Sequence, residues 1–239
     1  MKEGSGLRIR HMPGGGRRVL FIHGYGGNLG QPGVKWFMNR FREHGLDMTY
    51  VQLPTEVGDI QEEVIGPVRE VEKGLGTHVA VGFSFGGLVL SYLDGARKRI
   101  FLSPFWGVND RWMIRGTESV VKLLSVITKP VLPRRFGREE AGPLAAERDM
   151  EGIPEHVSFR TIDQFFRAQS QLPPPREGDV VFYSPDDKVI SLSAIENRDI
   201  ETHRFRGGHM FYLSRERAEI MERVLSQVDM GFGHTHSAS

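Results

Sequence analysis

Gly82-Phe83-Ser84-Phe85-Gly86 stands between an apolar run, His78 to Phe83, and a stretch of helical periodicity, Gly86 to Ala96. Glycines on both sides of a serine permit a tight strand-to-helix turn that lifts the hydroxyl above a sheet edge. Gly87 adds room for a helix packed close to that strand. A serine hydroxyl is a weak nucleophile at neutral pH and needs a base. Of the nine histidines, His209 is the candidate, in Gly207-Gly208-His209, after the last expected strand and before the last expected helix. Loops at strand carboxyl ends are where sites in α/β sheets gather. The base needs a carboxylate to fix its tautomer and stabilise the imidazolium. Asp186 and Asp187 both follow the expected strand Val180 to Tyr183 and are both candidates.

Such a trio performs acyl transfer, and the developing oxyanion then needs N–H donors already in place. One should be the backbone amide of Phe85, next to the nucleophile and near a helix N-terminus. The other should come from the loop Phe21-Ile22-His23-Gly24-Tyr25-Gly26-Gly27, and the Tyr25 amide is the choice. His23 is read as a structural residue of that loop. Phe105, Trp106, Met210 and Phe211 flank the proposed site in sequence; they are possible pocket residues and equally ordinary core.

The elements that must hold these residues alternate between short apolar runs and helical periodicity, which argues for α/β architecture. Strands are expected at Val19 to Ile22, Met48 to Leu53, His78 to Phe83, Ile100 to Leu102, Val180 to Tyr183 and Ile200 to Phe205. Helices are expected at Pro32 to His44, Ile60 to Lys73 (interrupted by Gly66-Pro67), Gly86 to Ala96, Thr161 to Leu172 and Arg215 to Val228. Between Phe105 and about Arg160 the pattern changes. An amphipathic stretch, Thr117 to Ile127, is followed by a broken basic one with Arg134, Arg135 and Arg138. This is too long for a plain connection and reads as an inserted cap. The cap's apolar stripe is Val120, Val121, Leu124 and Ile127, with Trp112 and Met113 nearby.

Composition narrows the classes. With 31 basic and 30 acidic side chains in 239 residues, the main electrostatic reason to expect nucleic-acid binding is absent. The lack of cysteine excludes disulfides, thiolate metal sites and a cysteine nucleophile. No run of about 18 apolar residues is present, so no membrane span is expected. Met1 to Arg10 has charge but no apolar core, so a signal peptide is not expected and a cytoplasmic location is. Residues 230–239, with His234 and His236, read as a flexible tail. No metal or organic cofactor is expected.

These motifs, in this order, resemble the α/β-hydrolase superfamily. The resemblance rests on the loop His23 to Gly26, the elbow Gly82 to Gly86, the turn Ser184-Pro185-Asp186-Asp187 and Gly208-His209. It implies a mostly parallel central sheet flanked by helices, with an inserted helical cap. The core would be residues 1–105 and 161–229, and the cap 106–160. Acid turns of the family often read G-x-x-D with the last residue catalytic, which carries that role to Asp187; Ser184 departs from the pattern and keeps Asp186 open. The resemblance implies hydrolysis of an ester, thioester or related acyl bond through Ser84, Asp187 and His209; the mouth rich in Phe, Trp and Met and the length limit set by the cap point to small-molecule carboxylic esters of short-to-medium acyl length. A thioesterase or lysophospholipase-type acyl hydrolase, or a non-catalytic binding protein of the same fold, is the alternative. A dinucleotide site at Gly24 to Gly30 is disfavoured, because its third glycine falls one residue late for G-x-G-x-x-G.

Overall fold

The computed structural model describes residues 6–108, 131–133 and 137–233. The expected helix over 117–127, together with Trp112, Met113, Arg134, Arg135, His234 and His236, lies outside them.

Seven strands form one sheet: β1 (Arg8–Met12), β2 (Arg17–Ile22), β3 (Leu46–Gln52), β4 (His78–Phe83), β5 (Lys98–Leu102), β8 (Val180–Tyr183) and β9 (Glu201–Arg204). Their spatial order is β1-β3-β2-β4-β5-β8-β9. All neighbours are parallel except β1, which runs antiparallel along β3. β1 was not expected from the sequence. Arg-Ile-Arg-His-Met is an edge strand with mostly exposed side chains, so it carries no apolar run to announce it. A separate two-stranded antiparallel sheet pairs β6 (Val131–Pro133) with β7 (His156–Ser158).

The central strands read as unbroken apolar runs because both their faces are covered. Alternate side chains divide between two cores, as the two-residue period requires. Val19 and Phe21 join one core with Phe37 and Phe41 of α1 (Pro32–Glu43). Leu20 and Ile22 join the other with Val68 of α2 (Gly66–Lys73) and Leu88 of α3 (Phe85–Leu90). A short turn of helix, α4 (Arg138–Ala141), precedes the longer α5 (Phe159–Ser170). Beyond β8 come α6 (Ser193–Glu196) and α7 (Arg217–Gly231). α5 packs in the second core through Phe165 and Ala168, and α7 in the first through Met221 and Val224.

Two helices differ from expectation for local reasons. Residues 61–65 wind as a wide π-helical turn before α2, and the Gly66 amide bonds five residues back to Gln61. Pro67 then sits in the first turn of α2, where its missing N–H costs nothing. α3 ends at Leu90 rather than Ala96. The buried Arg99 guanidinium takes the carbonyls of Ser91 and Leu93, each at 3.2 Å, and so satisfies backbone that a longer helix would have used.

Candidate active site

The parallel strands deliver β2, β4 and β8 to one edge of the sheet, with the loop after β9 beside them. β4 turns into α3 through Ser84, whose backbone is left-handed at φ 52° and ψ −117°. A non-glycine residue in this region is strained, and the surroundings must hold it there. The Ser84 amide donates to Leu102 O at 2.9 Å, and its carbonyl accepts from Gly87, Leu88 and Phe105 amides. The flanking glycine is a requirement of space: a Cβ on Gly86 would overlap the Ile22 carbonyl at the end of β2.

Ser84, Asp187 and His209 are brought together from three separate elements. His209 Nε2 lies 2.7 Å from Ser84 Oγ, and His209 Nδ1 lies 2.8 Å from Asp187 Oδ2. With Nδ1–H donated to the carboxylate, Nε2 is the acceptor for the serine hydroxyl. Asp187 Oδ1 accepts the amides of Val189 at 2.8 Å and Ile190 at 3.4 Å, which fixes the carboxylate plane. Asp186 is exposed. All three chain members are buried: Ser84 is 8% exposed, His209 4% and Asp187 2%.

Ser184, where the family turn often has glycine, has a definite place. Its hydroxyl donates to Gly207 O at 2.5 Å and accepts the Asp186 amide at 3.1 Å, joining the acid turn to the histidine loop. The histidine loop is also held from outside the sheet. The amides of His209 and Met210 donate to Glu140 O and Ala141 O in α4, each at 2.8 Å. On the other flank, Asn28 Nδ2 and Gln31 Nε2 donate to Glu151 O at 3.1 and 2.8 Å. Residues 137–151 thus bind both the loop after β2 and the loop after β9.

The loop after β2 passes close to Ser84. A Cβ on Gly24 would stand 3.0 Å from Ser84 Cβ and 3.1 Å from the Phe83 ring. The Tyr25 amide follows in that loop, and the Tyr25 hydroxyl is anchored on Thr55 O at 2.8 Å. The Phe85 amide opens α3, in the first turn, where N–H groups have no partner within the helix. His23 lies beneath the loop, packed edge-on against Phe21 and Phe83. Burial pushes its pKa down to about 4, against a smaller opposing effect of the Gly24 carbonyl, so the ring is neutral at physiological pH.

The four aromatic and methionine candidates separate. Phe105 is half-buried and packs edge-on against Phe165, 5.8 Å between centroids. Trp106 meets Phe101 edge-on, 5.0 Å between centroids, and donates to Ser91 Oγ at 2.8 Å in the second core. Phe211 is fully buried against Phe37 and Phe83. Met210 is 4% exposed within the same core. Phe165 was not singled out from the sequence; its place on the apolar face of an amphipathic helix was the available signal.

Among the described residues no helix is long and apolar enough to cross a membrane, and no group of three metal-ligating side chains gathers. No curated protein sequence matches the chain. Solved structures do match in fold. A monoacylglycerol lipase from Paleococcus ferrophilus superposes with a TM-score of 0.78 at 13% identity, covering 94% of this chain and 99% of that one. A soluble variant of monoglyceride lipase from Saccharomyces cerevisiae gives 0.77 at 13% identity, covering 94% and 92%. An esterase from Exiguobacterium antarcticum gives 0.63 at 18% identity, covering 93% and 95%. The sequence profile of the alpha/beta hydrolase family matches residues 19–223, from the second strand of the sheet into its last helix. On that match, and with the elbow and sheet described above, the chain belongs to the alpha/beta hydrolase family.

Proposed function

We propose that this protein is a serine hydrolase that cleaves carboxylic esters of short-to-medium acyl length through an acyl-enzyme. The observation that carries the reading is the imidazole of His209 spanning Ser84 Oγ and Asp187 at 2.7 and 2.8 Å. The family and the lipase and esterase neighbours support ester chemistry in general.

Ser84 Oγ attacks the acyl carbonyl carbon as its proton passes to His209 Nε2. Asp187 holds Nδ1–H and balances the imidazolium. The Tyr25 and Phe85 amides donate to the oxyanion, and at Phe85 the helix end favours negative charge. The intermediate collapses when His209 returns the proton to the leaving alcohol and the C–O bond breaks. Water then enters, gives its proton to His209, and releases the carboxylic acid and free Ser84. The scheme uses no metal ion or organic cofactor.

The test is incubation with a fluorophosphonate, followed by peptide mass spectrometry and p-nitrophenyl butyrate hydrolysis, with butyryl-CoA in parallel. Stoichiometric labelling of Ser84 and turnover of the oxygen ester are expected. Faster turnover of the CoA thioester would make the protein a thioesterase. Absence of both labelling and turnover would leave a binding protein.

A further inference from the structure

Different aromatic sets line the two sides of Ser84. Phe83, before it, belongs to the core built with α1 and α7, and the His209 ring lies on it with centroids 5.2 Å apart. Phe85, after it, belongs to the opposite core, where its ring meets Phe165 of α5 at 4.6 Å. Phe165 also meets Tyr25 at 5.9 Å and Phe105 at 5.8 Å, both edge-on. Phe165 itself is buried, while Tyr25 and Phe105 are half-buried, so the cluster presents only its rim.

Building on the ester-hydrolase reading, we propose that Phe165 sets the length of acyl group the site accepts, by closing the acyl side with Tyr25, Phe85 and Phe105. The leaving oxygen must lie beside His209, which protonates it, and therefore on the Phe83 side. The acyl chain stays on Ser84 and extends the other way. There it meets Tyr25 and Phe85, the residues whose amides receive the oxyanion, and behind both stands the ring of Phe165.

That ring is firmly held. Thr161 Oγ1 accepts the Val57 amide at 3.0 Å and Gln164 Oε1 the Ile60 amide at 3.2 Å. Gln169 Nε2 donates to Phe105 O at 3.0 Å, and the Tyr92 hydroxyl donates to Ala168 O at 2.5 Å. These bonds pin α5 along its whole length, so a longer acyl chain gains no room by a slide of the helix.

The experiment measures kcat/KM for p-nitrophenyl butyrate and octanoate, with the leaving group constant, in the unaltered protein and in F165L, F165A and F165W. Phe165→Ala should raise the octanoate-to-butyrate ratio by about tenfold or more, since each newly accommodated methylene adds hydrophobic contact. Phe165→Leu should raise it less, and Phe165→Trp should lower it. General destabilisation lowers both rates together and leaves the ratio alone; if F165A does not fold, F165L and F165W carry the test. A second series varies the alcohol, methyl against hexyl butyrate, and its ratio should not move. An unchanged acyl ratio with hydrolysis retained overturns the role of Phe165 alone, as does a shift confined to the alcohol series. No hydrolysis and no labelling of Ser84 in the unaltered protein overturns the functional reading and this one together.

Discussion

The two ends of the central sheet bury polar groups in opposite ways. At the carboxyl end, Ser84, His209 and Asp187 form an open-ended hydrogen-bonded chain that finishes in the Ser84 hydroxyl, on strained backbone. At the amino end the charges are neutralised. Arg99 and Asp179 are each 2% exposed and pair bidentately, at 2.9 and 2.5 Å. Arg99 Nη1 donates to Ser91 O and Leu93 O, and Asp179 accepts the Arg176 amide at 2.7 Å. Asp229, at the end of α7, takes Arg17 at 2.6 Å and His44 at 3.0 Å. What differs between the two ends is whether a hydroxyl is left at the end of the chain of hydrogen bonds. The carboxyl end should therefore govern rate with little effect on stability, and the amino end the reverse.

The sharpest way to break this contrast is Ser84→Ala. Ester hydrolysis should fall on the order of 10⁶-fold, while the melting temperature stays within a few degrees, because only the hydroxyl is lost and the Cβ and backbone conformation are kept. More than a tenth of the original kcat would end the assignment. Next is Asp187→Asn, which should cost about 10⁴-fold in kcat by favouring the wrong tautomer of His209. Asp186→Asn, on the exposed side of the same turn, should remain within a few-fold, and a larger loss there would reverse the two roles.

At the other end, Asp179→Ala leaves a buried guanidinium unpaired and should cost about 3–5 kcal/mol in chemical denaturation. The double replacement Arg99→Met with Asp179→Leu should cost much less. Both should keep kcat per folded molecule, and a selective loss of kcat would erase the distinction between the ends.

The smallest effect concerns acid stability. Burial alone would raise the Asp229 pKa, but hydrogen bonds from His44 and Arg17 hold it below the ordinary carboxylate value. A depressed folded pKa stabilises the protein above the unfolded value, near 3.9, and the benefit is lost as pH falls through the folded one. Thermal melts at stepped pH between about 6 and 3 should show a shallower acid decline in D229N than in the unaltered protein. Parallel declines would remove Asp229 from the account.

Much of this was legible because the strands are covered on both faces. Val19 to Ile22 and Val180 to Tyr183 announce themselves as continuous apolar runs, and β1, exposed and charged, does not. Ser84, Asp187 and His209 were legible because turn chemistry at strand ends is local, and local chemistry is written in consecutive residues. Pocket lining is not local. Trp106 and Phe211 lie close to the site along the chain, yet their side chains turn into the cores. Phe165 comes 81 positions after Ser84 and looks, in sequence, like any apolar residue of an amphipathic helix. The ties from Glu140, Ala141 and Glu151 run through backbone carbonyls, which leave no mark on residue type.

Ser84 and His209 are separated by 125 positions. During synthesis the elbow leaves the ribosome well before His209, and closing so long a loop carries an entropic cost that local contacts do not repay. The nascent chain therefore carries an unactivated serine for most of its elongation. On the proposed mechanism, hydrolytic capacity arises late, as the loop after β9 joins the sheet, and a fragment that stops before Gly207 holds the residues of all six parallel strands yet lacks His209 and is chemically silent.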